Sequence, residues 1–235
     1  MYKEWEKCFV LHCRSFGDTS LIVDLFSKNQ GKISVLAKGA KKPRSKYFGI
    51  FTPFKEIKIT LSGKSDLKTV NEVDTNHYPS ASLDSKTTYS YLYINELLSK
   101  LLTRSIPNLD LFNLYQSFVE KFNLSSFEEV NLRHFELDLL DELGFGINFD
   151  VSTENQNLED DKIRFIFVPE QGFKATQLDS GFTVKELQQI KSRKLHDINK
   201  NALKELTQSA MLSCLDGKQI LLSLIHISEP TRPAI

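Results

Sequence analysis

Apolar and polar residues alternate with a period of two through most of the first eighty positions, and the pattern predicts five strands. Cys8 to Phe16 alternates, and Ser20 to Phe26 is β-branched and bounded by Gly17-Asp18. From Lys32 to Lys38, apolar Ile33, Val35 and Ala37 alternate with Lys32, Ser34 and Lys38. Phe54 to Leu61 sets Ile57, Ile59 and Leu61 against Lys58 and Thr60, and after the turn Ser62 to Asp66 comes Leu67 to Val73. Short strands with one long loop between the third and the fourth suit a small closed barrel of the oligonucleotide-binding (OB) type. An SH3-like barrel or a small sandwich shows much the same pattern, and periodicity alone does not choose among them.

At Pro79-Ser80 the period becomes helical, which puts a domain boundary there, with residues 1–80 as the barrel and 81–222 as a mainly helical domain. Leu83 to Leu102 carries Tyr89, Leu92, Tyr93, Leu97 and Leu101 at helical spacing, with Asp84 as an early N-terminal charge. Pro107 and Asn108 end it, and Leu109 to Phe122 reads as a second helix. Ser126 with Glu129 three residues on predicts a capping box opening a third, FEEVNLRHFELDLLDELGF, which stops at Gly144. Ile163 to Val168 reads as a strand, Gly172 to Ala175 as its hairpin return, and Val184–Arg193 and Ile198–Leu215 as two more helices. The expected class is α+β. Glu136, Asp138, Asp141 and Glu142 look like acid/base or metal material, but helical spacing scatters them over a solvated face, and His134 has no partner at ligand spacing.

Zero net charge hides an asymmetry. Residues 1–80 hold 14 Lys and Arg against 8 Asp and Glu, leaving 16 against 22 for the rest, so the halves differ in sign. The excess is concentrated where the third strand dissolves into a loop: Lys38, Lys41, Lys42, Arg44 and Lys46 fall together with no acid among them, followed by Tyr47, Phe48 and Phe51. Cations for phosphates beside flat rings for bases make a single-strand nucleic-acid signature. A solvated surface loop tethered by core aromatics is the plainer reading of the same residues.

Catalytic constellations are not evident. The sequence has no GxxxxGKS/T, no G-x-G-x-x-G after a strand, no HExxH and no nucleophile elbow, so a binding protein rather than an enzyme is expected. Cys8, Cys13 and Cys214 are odd in number and show no C-x-x-C pairing, which predicts neither disulfides nor zinc. No cofactor is expected. No run is apolar enough for a membrane helix and MYKEWEKC lacks a signal-peptide core, so a cytoplasmic protein is expected.

In order, Phe16-Gly17-Asp18-Thr19-Ser20-Leu21-Ile22-Val23, Gly31, Ala37-Lys38-Gly39-Ala40-Lys41-Lys42, Pro53-Phe54 and Gly63-Lys64-Ser65-Asp66-Leu67-Lys68 resemble successive signatures of the RecO family of bacterial recombination mediators. Tyr93 to Leu97 and Arg133 to Leu140, with Leu143-Gly144-Phe145, resemble that family's helical domain. Each motif alone is weak, and their order and spacing give the match its specificity. The resemblance implies an N-terminal OB barrel, a helical C-terminal domain, binding of single- and double-stranded DNA, and annealing of complementary strands. It further implies partnership with RecR, in many bacteria RecF, relief of the block imposed by single-stranded-DNA-binding protein (SSB), and help in loading RecA. On this basis Lys38, Lys41, Lys42, Arg44, Lys46, Tyr47, Phe48, Lys64 and Lys68 are the expected DNA-binding residues. The acidic, Phe-ending SSB tail is expected on the helical domain, at a cationic rim formed by Arg133 or by Lys191, Arg193 and Lys194.

Two departures from the family pattern stand out. Many members carry four zinc-binding cysteines after the Leu-Gly-Phe motif, whereas Gly146 to Phe182 contains none, and a metal-free hairpin is expected instead. Ser223 to Pro233 reads SLIHISEPTRP, which resembles translated sequencing-adaptor DNA, so residues 223–235 are expected to be a non-native or disordered tail. The other function class left open is an RNA- or tRNA-binding barrel with a helical partner-docking domain. The 2′-hydroxyl discriminates between them.

Overall fold

The computed structural model describes residues 4–75, 85–124, 128–150, 163–177 and 181–215. Five strands, β1 (Glu6–Phe16), β2 (Ser20–Ser27), β3 (Gly31–Ala37), β4 (Glu56–Ser62) and β5 (Leu67–Asp74), close a barrel in the order β1-β2-β3-β5-β4. Neighbours run antiparallel except β3 and β5, which pair in parallel from Ser34↔Leu67 to Leu36↔Thr69. This closure selects the OB barrel from the candidates that periodicity leaves open. Inward-facing Cys8, Val10, Val23, Leu25, Ile33, Val35, Ile57, Ile59 and Val70 fill the interior.

β1 is buried on both faces along its first half, where Phe9 and Leu11 are as inaccessible as Cys8 and Val10. Two helices account for this, α1 (Ser85–Leu101) and α2 (Leu109–Leu124). Phe9 meets the Phe112 ring at 5.4 Å and Tyr115 edge-on at 5.1 Å, while Phe26 meets Phe112 at 5.3 Å. Each such pair contributes about 0.5–1.5 kcal/mol beyond its buried area. Asn95 donates to the carbonyls of Val10 at 3.2 Å and Leu11 at 2.9 Å, where the β1–β2 register shifts, and accepts from the Tyr115 hydroxyl. The α1–α2 connection is held as closely. Ser105 N donates to Lys32 O at 3.0 Å, and a Cβ on Gly31 (φ 66°) would lie 2.0 Å from Ile106 O, which leaves glycine as the residue that fits.

β1 outruns β4. Their pairing covers Glu6 to Phe9 only, so among the described residues the last part of β1 is paired along one edge, to β2.

By compactness the described residues through Asn123 form one unit, with α1 and α2 grouped with the barrel, and those from Leu124 form another. The second unit contains α3 (Glu129–Glu142), the hairpin β6 (Arg164–Val168) and β7 (Gly172–Thr176), α4 (Val184–Lys191) and α5 (Lys200–Cys214). Its core gathers Leu137, Phe149, Phe165, Phe182, Leu187, Ile190, Leu203 and Leu206. Phe182 exchanges two backbone hydrogen bonds with Phe165, at 2.7 and 2.8 Å, and continues the hairpin as a short third segment. Thr183 and Glu186 form a reciprocal capping box on α4. α3 starts later than the sequence predicts, with Glu128 in the cap position and no side-chain cap; Ser126 lies outside the described residues. Its expected stop at Gly144 is found, at φ 80°. Pro79-Ser80, Asp84 and 223–235 also lie outside the described residues.

Candidate nucleic-acid interface

The basic loop between β3 and β4 is a sequence of turns closed by local bonds: Lys42 N to Gly39 O at 3.1 Å, Ser45 N to Lys42 O at 2.9 Å and Phe48 N to Ser45 O at 3.0 Å. Ala40, Tyr47 and Phe51 anchor it, because their apolar surface joins the barrel core. Lys41 N donates to Thr19 O at 2.9 Å and Gly39 N to Ser20 Oγ at 3.2 Å, which tie the loop to the β1–β2 turn. The apolar residues therefore fix the loop and the cations between them stay in water. Lys38, Lys41, Lys42, Arg44 and Lys46 are exposed, and Lys38, Lys42 and Arg44 have no ion-pair partner among the described residues. Cations left uncompensated at one locus give the positive potential that attracts a polyanion.

The aromatics divide differently from the sequence expectation. Tyr47 is 8% exposed, its hydroxyl donating to Asn71 O at 2.6 Å, and Phe51 is likewise buried. Neither offers a face on which a base stacks, since both rings are used to hold the loop down. Lys46 Nζ lies 4.9 Å over the Tyr47 ring and donates to Asn71 O at 3.2 Å. Phe48 alone of the three is open to solvent, at 56%. Lys64 is exposed in the β4–β5 turn, whereas Lys68 Nζ donates to Gln30 Oε1, beside the start of β3 and so at the far end of that strand from the basic loop.

Sequence reasoning missed a second component, the half of the barrel's outer face that α1 and α2 leave uncovered. Strand register places its residues in rows: His12 opposite Asp24 and Asp24 opposite Ser34, then Arg14 opposite Ile22 and Ile22 opposite Leu36, then Phe16 opposite Ser20. His12, Arg14 and Phe16 are exposed. Uninterrupted alternation from Cys8 would put them on the inward face with Cys8 and Val10; the register shift between Val10 and His12 turns them outward, and the period-two pattern does not announce it. The strand 2–3 face is where OB barrels take oligonucleotides. Exposed Arg104 lies at the other end of β3, its backbone bridged to Lys32.

In the second unit the expected SSB-tail residues separate. Arg133 is 4% exposed and donates to Glu136 Oε2 at 2.7 Å and Thr207 Oγ1 at 2.9 Å, so its guanidinium joins α3 to α5 inside the unit rather than standing at an open rim. The expectation of an accessible Arg133 is corrected by that burial: its neighbours on α3 include the partner that neutralises it. Arg193 pairs with Asp138 at 2.8 Å and with Asp141, Lys191 pairs with Asp150 at 2.9 Å, and exposed Lys194 has no ion-pair partner among the described residues. No group of three or more His, Cys, Asp or Glu is arranged to hold a metal ion among the described residues. No described helix is long and apolar enough to cross a membrane.

The sequence matches two family models, recombination protein O N terminal over residues 1–78 and recombination protein O C terminal over residues 82–179. It is 34% identical over 228 residues to a DNA repair protein RecO from Pasteurella multocida, covering 93% of this chain and 92% of the relative. It is 33% identical over 220 residues to a DNA repair protein RecO from Salmonella dublin, covering 92% and 90%. The protein of that name from Salmonella typhimurium gives the same identity and coverage.

Proposed function

The chain belongs to the recombination protein O family, and from that premise we propose that it is a DNA-binding recombination mediator acting in recombinational repair, which anneals complementary single strands without catalysing bond cleavage. The observation that carries the reading is the core-anchored loop whose Lys38, Lys42 and Arg44 stand without ion-pair partners among the described residues, beside the part of the barrel face that α1 and α2 leave uncovered. Annealing requires two polyanions to approach, and a surface that takes up phosphate charge lowers their mutual repulsion while releasing counterions. The bound partner is single-stranded DNA, with duplex DNA held through phosphates alone.

On this reading residues 1–80 carry the DNA-binding excess of cations, and residues 81–222 dock protein partners, RecR and the acidic SSB tail. RecA then loads on the DNA so exposed, with RecF as a further participant. Residues 223–235 take no part. The protein works in the cytoplasm at the nucleoid and needs neither nucleotide nor metal.

Fluorescence-detected annealing of bare and SSB-coated oligonucleotides tests it with the full chain. ATP and chelator are expected to leave the rate unchanged, and RNA of the same sequence is expected to compete no better than DNA. A requirement for ATP or divalent metal, or a marked preference for RNA, overturns the proposal.

A further inference from the structure

The barrel carries a second group of cations at the end of β3 opposite to the basic loop. Lys28 lies in the β2–β3 turn, Arg104 in the α1–α2 connection with its backbone bridged to Lys32, and the Lys68 ammonium reaches back from β5 to Gln30 Oε1. Lys28, Lys68 and Arg104 have no ion-pair partner among the described residues. The Glu6 carboxylate beside this turn is buried and taken up by neutral donors, Ser27 Oγ at 2.6 Å, Asn29 N at 2.8 Å and the Asn29 side-chain amide at 3.2 Å. The backbone that carries Arg104 is fixed, because Ser105 at φ 57° donates to Lys32 O and Ile106 O packs on Gly31. A preformed locus binds without the cost of ordering a loop.

The two loci act separately. β3 has seven residues, so at about 3.3 Å each they stand about 20 Å apart, more than two screening lengths of about 8 Å at physiological salt. Between them, on the outer side of β3, Ser34 Oγ donates to the Asp24 carboxylate at 2.5 Å, and that charge opposes a phosphate chain running from one locus to the other. Resting on the nucleic-acid reading above, we propose that Lys28, Lys32, Lys68 and Arg104 form a second phosphate-binding site, which holds the second strand during annealing while the basic loop holds the first. Its ligand is the sugar-phosphate backbone, single- or double-stranded alike, since the locus offers cations rather than a ring for stacking. Two strands held on one chain meet by a local search instead of a bimolecular encounter, so the effective concentration of each for the other rises. Ile106 and Leu109 are also exposed at this end, at 58% and 50%, which makes docking of a protein there the outcome to exclude.

The test uses the full-length chain. Short non-complementary single strands bound per chain are counted by native mass spectrometry at low salt, and annealing of bare and SSB-coated complementary strands is followed by fluorescence. The parent is expected to hold two strands per chain. K28Q/K68Q/R104Q, which removes charge and keeps the aliphatic stems, and K41A/K42A/R44A are each expected to hold one. Each should slow annealing of bare strands by about tenfold or more, since one strand then keeps its full phosphate charge. K28R/K68R/R104K keeps the cations and is expected to keep both strands. One strand per chain on the parent, weakened by either triple variant, means that a single strand spans both loci; it overturns the two-strand assignment and leaves the nucleic-acid reading intact. An effect of K28Q/K68Q/R104Q confined to SSB-coated strands means protein docking and overturns the assignment as well. Failure of the parent to bind any strand at low salt overturns the nucleic-acid reading itself.

Discussion

Tyr115 donates its hydroxyl to Asn95 Oδ1, and the amide of Asn95 in turn satisfies two β1 carbonyls at the residue pair where β1 and β2 slip register. Val10 O also accepts from Phe54 N at 3.0 Å, so the helix side chain adds a second bond to that carbonyl and one to Leu11 O at the irregularity. The site is buried, so the alternative partner, water, is excluded.

Asn95→Leu is accordingly expected to lower stability by about 2–4 kcal/mol, because the Val10 and Leu11 carbonyls and the Tyr115 hydroxyl are all deprived of this amide. Urea unfolding followed by far-UV circular dichroism reads the change. The same packing predicts that a fragment ending at residue 80 is much less stable than one ending at 123, since it exposes Phe9, Leu11 and Phe26. Equal midpoints for the two fragments would contradict this account of α1 and α2.

Neutralising Lys41, Lys42 and Arg44 together should change stability by little, about 0.5 kcal/mol or less for each exposed site. The salt dependence of single-strand binding should become shallower by roughly 0.7 in log-log slope for each phosphate no longer neutralised. Fluorescence anisotropy over a salt series measures it, and an unaltered slope removes the loop from the interface.

Arg133→Ala breaks a buried ion pair and strands Glu136, so a loss of about 3–5 kcal/mol is expected. The double variant Arg133→Met with Glu136→Leu removes both charges at similar volume and should recover most of that loss. If docking of an acidic, Phe-ending peptide uses the exposed cations instead, this double variant keeps peptide affinity and Lys194→Ala weakens it. Loss of binding in the folded double variant would return Arg133 to the docking site.

Cys13 titrates abnormally because burial, with the Asp24 carboxylate adding to it, pushes its thiol up to about 12; burial alone raises Cys214 to about 11. In both cases the folded state holds the proton more tightly than the unfolded chain, with its ordinary value of 9.0. Their contribution to stability is therefore complete below about pH 9 and declines as pH rises from there through the folded-state values. Urea midpoints should fall on going from pH 8 to pH 10. Iodoacetamide at pH 8 should modify the native protein far more slowly than the unfolded one, as judged by mass spectrometry.

The strands and helices were legible because each carries one clear hydrophobic period, and Ile33, Val35 and Ala37 or Leu139 and Leu140 place themselves. The basic loop was legible for the same kind of reason, as a run of like charge between apolar anchors. Tyr47 misled, since an aromatic beside lysines has the same sequence signature whether its ring faces a base or the core. Arg133 needed knowledge of which helix lies opposite: Thr207 is 74 positions away, and no local period announces it. His12, Arg14 and Phe16 share the parity of inward-facing Cys8 and Val10, so alternation hid them: the register shift between Val10 and His12 is what turns them to the outside.

The length by which β1 outruns β4 has a consequence for colloidal behaviour. A closed barrel normally hides every strand edge, yet here the backbone from about His12 to Phe16 keeps one edge without a strand partner among the described residues. Such an edge invites a second copy to pair with it, the first step toward ordered aggregates. Two features oppose that outcome. The exposed stretch is only a few residues long, and it places the Arg14 guanidinium where an identical strand would bring its own, so like charges meet before the hydrogen bonds form. Replacing that arginine with an apolar residue would keep the barrel and forfeit its protection against self-association.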